Sequence, residues 1–428
     1  MDELYFSRLK QYRQLRKSIR GSKEHLIVGI DIAKNKHNAF FGTATGICLL
    51  RRFVFDNSLE GFEKLLLSVE SVKLEHCLDK VVFGLEPTAQ YHKPLAEYLI
   101  SGGYIVVIVD GQAVKKNRVL LDGRWDKHDV KDSANVADLI SQGKCLYYDL
   151  PSMQLKDLRN LLSLKRRLKK QEQCWKVRIR NHLLAQYFPE MDSYFTRSDL
   201  AGVSVVRWCL NPDTISELKF EDFLAMVAPR CRMIQQRHRI RMIWEKAAKS
   251  IGCKAGGSLD FEARLSVEAL LHAQGAVKEC DKEIKRICSD FCQYQYLLTI
   301  PGFGPDVSAK VLGAIGNPWR FKNRRQVLKL AGMDLSANRS GDRSNSAVPV
   351  LSKKGKPELR YALCQAAIIA SYKNQHFKTY LAQKLRGRER EKGIKQKMRV
   401  KLAAKMLVIA WHLMKKQEPF DYRYISFH

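Results

Sequence analysis

The sequence predicts a mixed α/β domain at the front of the chain and a helical, increasingly basic remainder behind it. Three observations carry this. Short β-type runs alternate with helical periodicity up to about residue 142, two long stretches further on keep a helical apolar repeat, and positive charge accumulates towards the C-terminus. In order, HLIVGIDIA (25–33) reads as a buried strand, and strand-like runs follow around 38–44 and 48–55, with Gly42 and Gly46 marking turns. An apolar-periodic helix fits 59–70, the strand KVVFGLE fits 80–86, a helix fits 91–101, the strand YIVVIVD fits 104–110 and a last helix fits 130–142.

That order, β-β-β-α-β-α-β-α, is the order of a ribonuclease H-like (RuvC-like) domain, a mixed sheet with flanking helices, which we expect over residues 1–150. Residues 151–294 are expected to form a helical, coiled-coil arm. Leu155, Leu158, Leu161, Leu162 and Leu168 share one helix face, and Leu265, Val267, Leu270, Leu271, Val277, Ile284 and Ile287 mark a second helix over 260–290, although the heptads are imperfect. The stretch 190–258 reads as helical without a predictable packing. Residues 295–428 are expected to be mostly α and to open on LLTIPGFGPDVSAKVLGAIG (297–316), which reads as a helix-hairpin-helix. There Gly302 and Gly304 would let backbone N–H groups approach a phosphate. An ordinary turn between helices is the plainer reading.

Composition narrows the function. The 428 residues suffice for two or three domains, and a hydrophobic content of 45% provides their cores. The formal net charge is +31, which a small-metabolite enzyme has no reason to carry and a polyanion-binding protein does. Residues 1–150 hold 22 Lys/Arg against 19 Asp/Glu, whereas residues 301–428 hold 27 against 8, so the polyanion surface belongs to the back of the chain. Within it, nine Lys/Arg fall in 384–401, and Trp319, Arg320, Lys322, Arg324 and Arg325 follow the hairpin. The 11 cysteines show no CxxC pair or zinc spacing, and Cys288 and Cys292 read as core positions on a helix. This usage suits a reducing cytoplasm, and a DNA-bound protein there would be nucleoid-associated. The N-terminus lacks an apolar h-region and no later run approaches about 18 apolar residues, so no membrane is expected as a partner.

The chemistry rests on acids in costly places. Asp31 sits inside the apolar strand VGIDIA, where a charge needs a partner or a metal. Glu86 ends the strand FGLE before Pro87, and Asp129 and Asp132 share one face at the start of a helix through their i,i+3 spacing. In the expected topology these four carboxylates converge at one sheet edge. Oxygen-only ligands select Mg²⁺, with Mn²⁺ as the alternative, and a pair of such ions suits phosphodiester chemistry. Asp126 and Asp138 compete for the helix positions. The plain readings are a favourable helix dipole for Asp129 and Asp132 and a strand-end cap for Glu86.

GIDIAK (29–34), GLEPT (84–88), KHDVKDSA (127–134), IPGFGP (300–305) and RSGDRS…LSKKGKPELR (339–360) together resemble the insertion-sequence-110 family of DEDD transposases, from about residue 25 to 415 and in the same order. The resemblance implies a catalytic and metal-binding quartet of Asp31, Glu86, Asp129 and Asp132, and a nucleophilic Ser340 before Gly341. It also implies a basic DNA contact that includes Lys353, Lys354 and Arg360, donor and target DNA as substrates, a structured guide RNA, and a homo-oligomer (dimer or tetramer) whose protomers share the site. Two departures stand out. His128 replaces the family's usual threonine, and the residues after Ser340 leave Ser344 and Ser346 as rival nucleophiles, while Asn-Arg-Ser-Gly-Asp is also a turn composition.

A serine oxygen that attacks a DNA phosphate retains the phosphodiester energy in a covalent link, which hydrolysis would lose. The leading expectation is therefore a Mg²⁺-dependent, serine-using DNA recombinase. A RuvC-like junction resolvase or endonuclease that hydrolyses with a metal-activated water needs the quartet and not Ser340. A catalytically inactive nucleic-acid-binding protein needs neither.

Overall fold

In the computed structural model the chain divides into two compact units, Met1–Ser152 and Met153–His428; residues 2–122, 129–195, 200–231, 233–336 and 349–426 are described.

The first unit is built on a six-stranded sheet in the order β3-β2-β1-β4-β5-β6. Its strands are β1 (His25–Asp31), β2 (Lys36–Thr43), β3 (Cys48–Asp56), β4 (Lys80–Glu86), β5 (Ile105–Ile108) and the short β6 (Leu146–Tyr147). β1, β4 and β5 are mutually parallel, while β2, β3 and β6 pair antiparallel with their neighbours. β1 to β5 meet the expected strands to within a residue or two, and β6 had no counterpart in the sequence reading. Both faces are covered, which is why β1 and β4 read as continuous apolar runs rather than alternating ones.

On one face Val28, Ile30, Phe83 and Leu85 pack against helices α2 (Leu59–Glu75) and α3 (His92–Ser101) through Leu65, Val69, Leu95 and Leu99. On the other, Ile27, Val82 and Val107 meet helix α5 (Asp129–Ser141) through Val136, Ala137 and Ile140. Two helices absent from the sequence expectation join that second face. Helix α1 (Asp2–Ser18) contributes Leu15, and Tyr12 Oη donates to the Cys145 carbonyl at 2.8 Å. Helix α4 (Gly111–Asp122) follows Asp110, whose Oδ1 accepts from Gln112 N, and contributes Val114.

The second unit has two apolar cores threaded by two long helices. Helix α6 (Met153–Arg178) continues through a π-helical segment, Ile179–Leu184, and packs along helix α7 (Ser258–Ser289). The pair is antiparallel: Cys280 Sγ donates to the Leu161 carbonyl, Lys165 meets Asp281 at 2.5 Å, and Arg178 meets Glu262 at 2.8 Å. Leu265 and Leu271, counted with the apolar face, stay exposed; Ala263, Ser266 and Ala273 take the buried positions beside Val267 and Leu270. Residues 185–247 are mostly short helices that wrap the far end of this pair around Phe188, Met191, Phe223, Ile240 and Ile243.

The near end carries the last core, which includes Cys288 as the sequence suggested, whereas Cys292, read as a second core position, is exposed at the start of the next helix. It is formed by α8 (Cys292–Leu298), α9 (Pro305–Ile315), α10 (Arg324–Leu330), α11 (Pro357–Lys373), α12 (Gln375–Leu385) and α13 (Ile394–Lys416). A two-stranded ribbon, β7 (Leu335–Ser336) against β8 (Val350–Leu351), interrupts the helices. No helix among the described residues is long and apolar enough to cross a membrane.

Glycine is demanded where α5 crosses the sheet. A Cβ on Gly29 would stand 2.3 Å from the Ser133 carbonyl oxygen and 2.6 Å from Ala137 N, both rigid helix backbone. Gly275, by contrast, lies on the exposed side of α7 with open space around it. Gly29→Ala is therefore expected to lower stability by about 1–3 kcal/mol through overpacking, whereas Gly275→Ala should raise it by up to about 1 kcal/mol through helix propensity. Thermal melts followed by circular dichroism check both signs, and a neutral Gly29→Ala would refute the close approach.

Candidate active site and nucleic-acid interface

The parallel pairing of β1 and β4 sets Asp31 opposite Glu86 in register, two steps beyond the Gly29–Gly84 pair. Side chains at i and i+2 share a sheet face, so Gly29, Asp31, Gly84 and Glu86 all lie on the α5 side. The two glycines let the helix approach, and the two carboxylates stand beyond them at the carboxyl ends of neighbouring strands, with backbones about 4.8 Å apart as in any sheet. Glu86 lies against the start of α4, where a Cβ on Gly111 would come within 2.9 Å of its Oε1. A helix N-terminus favours negative charge at such a place.

Asp132 is buried on α5, with 1% of its surface exposed. Arg118 of α4 donates to its Oδ1 from Nε at 2.8 Å and from Nη2 at 2.6 Å. The guanidinium supplies the countercharge that a buried carboxylate requires. One turn on, Asn117 Nδ2 donates to Asn135 Oδ1 at 3.2 Å and to Asp138 Oδ2 at 2.7 Å, and Gln142 Nε2 also donates to that oxygen at 2.9 Å. Asp138 is thus occupied in joining α4 to α5.

Asp129 begins α5, but its side chain, like Asp126, lies outside the described residues. Among the described residues no three His, Cys, Asp or Glu side chains form a metal-binding group. The Asp31–Glu86 pair is the part of the quartet whose neighbourhood the sheet register establishes. Its all-oxygen donor set at a strand-end edge suits a hard divalent cation.

Ser340, Ser344 and Ser346 lie outside the described residues, as does Gly341, but the segment's anchors do not. Ser336 pairs with Val350 and Leu335 with Leu351, so the chain before and after the segment returns to one place. Asp334 accepts a short hydrogen bond from the Ser352 hydroxyl. Below them Gly332 (φ +63) and Gly355 pack backbone to backbone; a Cβ on Gly355 would stand 2.3 Å from Gly332 N. Lys353 N donates to the Gly332 carbonyl at 3.1 Å, and Arg360 Nη1 donates to the Ala331 carbonyl at 2.8 Å. Of the LSKKGKPELR residues expected to touch nucleic acid, Arg360 is therefore tied into the ribbon's base, while Lys353 and Lys354 are exposed.

The hairpin residues divide in the same way. Gly302 has φ +88, and a Cβ there would lie 2.5 Å from the Ala366 carbonyl of α11, so packing explains this glycine. Gly304 has open space around it. The first turn of α9 also carries Asp306, which accepts from Lys165 and, at 2.6 Å, from Lys310. Burial works to raise the Asp306 pKa, and the hydrogen bonds from the two lysines outweigh it, holding the carboxyl below its ordinary value. A negative charge there does not invite a phosphate. Arg320 donates to the Ala314 carbonyl at 2.9 Å, whereas Lys322, Arg324 and Arg325 present exposed cations. Sequence reasoning missed Arg118 and the ring environment around Trp319, because their partners are distant in the chain or on helices it did not predict.

Two family models match the chain. A model described as "Transposase", of the DEDD type, matches residues 28–189, and one described as "Transposase IS116/IS110/IS902 family" matches residues 294–382. The first match spans Asp31, Glu86, Asp129 and Asp132, and the second spans the hairpin, Ser340 and the ribbon. The chain is 36% identical over 116 residues to a Sinorhizobium fredii protein named "Putative transposase y4rJ", covering 27% of this chain and 28% of that one. It is 28% identical over 158 residues to the pilin gene-inverting protein of Moraxella lacunata (36% and 47% covered), and 29% identical over 160 residues to that of Moraxella bovis (37% and 46%). The chain thus spans less than half the length of each of these relatives. With an acid-bearing α/β unit and a ribbon-bearing basic unit matched in order by two models of one kind, the chain belongs to the IS110 family of transposases.

Proposed function

We propose that this protein is a DNA recombinase that cuts and rejoins strands of a mobile element and its target, with a carboxylate-held divalent cation and a serine nucleophile. The observation that carries this reading is the register pairing of Asp31 with Glu86 beside α5, in a chain whose C-terminal third is strongly basic. We read the first unit as ribonuclease H-like, since its 3-2-1-4-5 order with an antiparallel β1–β2–β3 meander is that of the expected fold. We read α8, its turn and α9 as the expected helix-hairpin-helix.

In this reading Asp31 and Glu86, with Asp129 and Asp132 from α5, hold the cation, Mg²⁺ or Mn²⁺. When bound, the cation would neutralise charge on the reacting phosphate and favour a deprotonated serine. Ser340 Oγ forms an ester to a DNA phosphorus as one DNA P–O bond breaks, and a strand hydroxyl later takes the phosphoryl group back, so no bond energy is lost to water. Lys322, Arg324, Arg325, Lys353 and Lys354 contact backbone phosphates. A structured guide RNA and assembly of several protomers belong to the same proposal; the charge of the C-terminal region supports a polyanion partner for it.

Ser340→Ala is expected to fold and to bind nucleic acid and metal, yet to form no covalent DNA adduct and exchange no strands. Ser344→Ala and Ser346→Ala should retain the adduct. Denaturing electrophoresis of labelled DNA, with peptide mapping of the retained label, decides. Label on either rival serine overturns the assignment, and nicked DNA with no adduct from the unaltered protein favours a hydrolytic resolvase. If the unaltered protein binds DNA but neither nicks nor joins it, the chain is a binding protein alone.

Asp31→Ala and Glu86→Ala should each abolish strand cleavage while leaving DNA affinity within a few-fold, because these acids hold the cation and do not grip the backbone. Cleavage by Asp31→Ala in the presence of Mg²⁺ would remove Asp31 from the quartet.

Arg118→Met leaves Asp132 buried without its countercharge and should destabilise the metal-free first unit by about 3–5 kcal/mol. If Asp132 is a ligand, saturating Mg²⁺ or Mn²⁺ should restore much of that loss. Melting curves with and without metal report it, and an identical loss under both conditions would make the pair purely structural.

A further inference from the structure

Trp319 stands half exposed, at 51% of its surface, in the turn Pro318–Arg320 that follows α9. A large aromatic ring in water forfeits its usual stabilisation, and here the neighbouring side chains hold it there. Asn317 Oδ1 accepts from Trp319 N at 2.9 Å and sets the turn. Lys415 of α13 places its ammonium 4.9 Å from the Trp319 ring centre and 4.3 Å from that of Trp411. Trp411 is itself buried, and its Nε1 donates to the Pro318 carbonyl at 2.8 Å. The cation between two indoles fixes Trp319 at the surface with a substantial cation–π contribution. Lys322, Arg324 and Arg325, all exposed, follow within six residues, and Lys416 is exposed on α13 beside Lys415.

We propose that Trp319 is a stacking platform for an unpaired base of a single-stranded nucleic acid, with the surrounding cations on its phosphates. A rigid exposed indole inside a positive surface is the arrangement by which proteins hold single strands. Bases of an intact duplex are already stacked on one another and cannot be offered to it. Strand exchange produces single-stranded stretches, so the inference rests on the nucleic-acid reading above and adds the strand state that this surface prefers. An unpaired DNA base and an unpaired RNA base share the chemistry.

The test measures binding of the full chain to fluorescent dT12, rU12 and a 12-base-pair duplex across a salt series. Trp319→Ala should weaken binding of one or both single strands by roughly five- to one-hundred-fold, with the slope of log affinity against log salt unchanged, since no phosphate contact is lost. Duplex affinity should hold. Lys322→Ala or Arg324→Ala should instead flatten that slope by about 0.7 on single strands. A loss on dT12 alone or on rU12 alone identifies DNA or RNA as the occupant.

Trp319→Phe preserves an aromatic ring and guards against misfolding in the alanine variant. It should keep most of the affinity while losing part of the indole fluorescence quenching that the unaltered protein shows with dT12. Unchanged single-strand affinity in Trp319→Ala, with normal binding otherwise, overturns the platform and leaves the nucleic-acid reading standing; so does an equal loss on duplex. If the unaltered protein binds none of the three at low salt, both fail.

Discussion

The close crossing of α5 over β1 and β4 is the contact on which the acid site depends. Gly29 and Gly84 fall opposite one another in the parallel register, Gly29 where the helix backbone passes and Gly84 where the Ile140 and Val136 side chains seat. The same register then aligns Asp31 with Glu86 on that face. A one-residue slip between β1 and β4 would put one carboxylate on each side of the sheet and drive a side chain into the helix. The apolar residues Ile27, Val82, Val136 and Ile140 hold the arrangement from within, so packing and placement of charge are a single geometric fact.

Polar contacts between α4 and α5 complete that face. Arg118 with Asp132, and Asn117 with Asn135 and Asp138, satisfy groups that burial would otherwise leave at high cost. The pairing gives Asp132 a partner before any cation arrives, so this carboxylate does not depend on metal for its countercharge. Metal binding at Asp132 would then exchange one countercharge for another, so the loss of the Arg118 pair would offset part of the cation's attraction.

In the second unit a comparable economy of backbone governs the described residues on either side of the stretch that contains Ser340. Gly332 and Gly355 bring two chain segments into backbone contact, Arg360 bridges across them, and the β7–β8 ribbon closes the ends of the segment. The conspicuous glycines and the arginine of this motif are thus used inward, while Lys353 and Lys354 remain outward. Gly302 repeats the lesson, since its positive φ and its contact with α11 belong to packing. Lys322, Arg324 and Arg325, by contrast, are exposed, which suits the phosphate contacts proposed for them.

Read as a string, the chain already determined most of the first unit. Burial on both faces gives β1 and β4 their unbroken apolar runs, and turn residues and helical periodicity mark β2, β3, β5, α2, α3 and α5. Asp31 and Glu86 were legible as charges misplaced in such runs, and the long pair α6 and α7 was legible from its apolar repeat. Helices α1 and α4 were not. Val119 and Leu120 of α4 are exposed, and besides the buried Val114 what holds that helix is a set of polar contacts to residues 14 to 21 positions away, which no local periodicity records. The short helices of 185–247 share one core assembled from many weak segments, so their packing also lay beyond the pattern. Only the tertiary structure decided that Arg118 guards Asp132, that Gly302 and Arg360 face inward, and that Lys415 props Trp319 at the surface, because each depends on which distant residue comes to lie beside it.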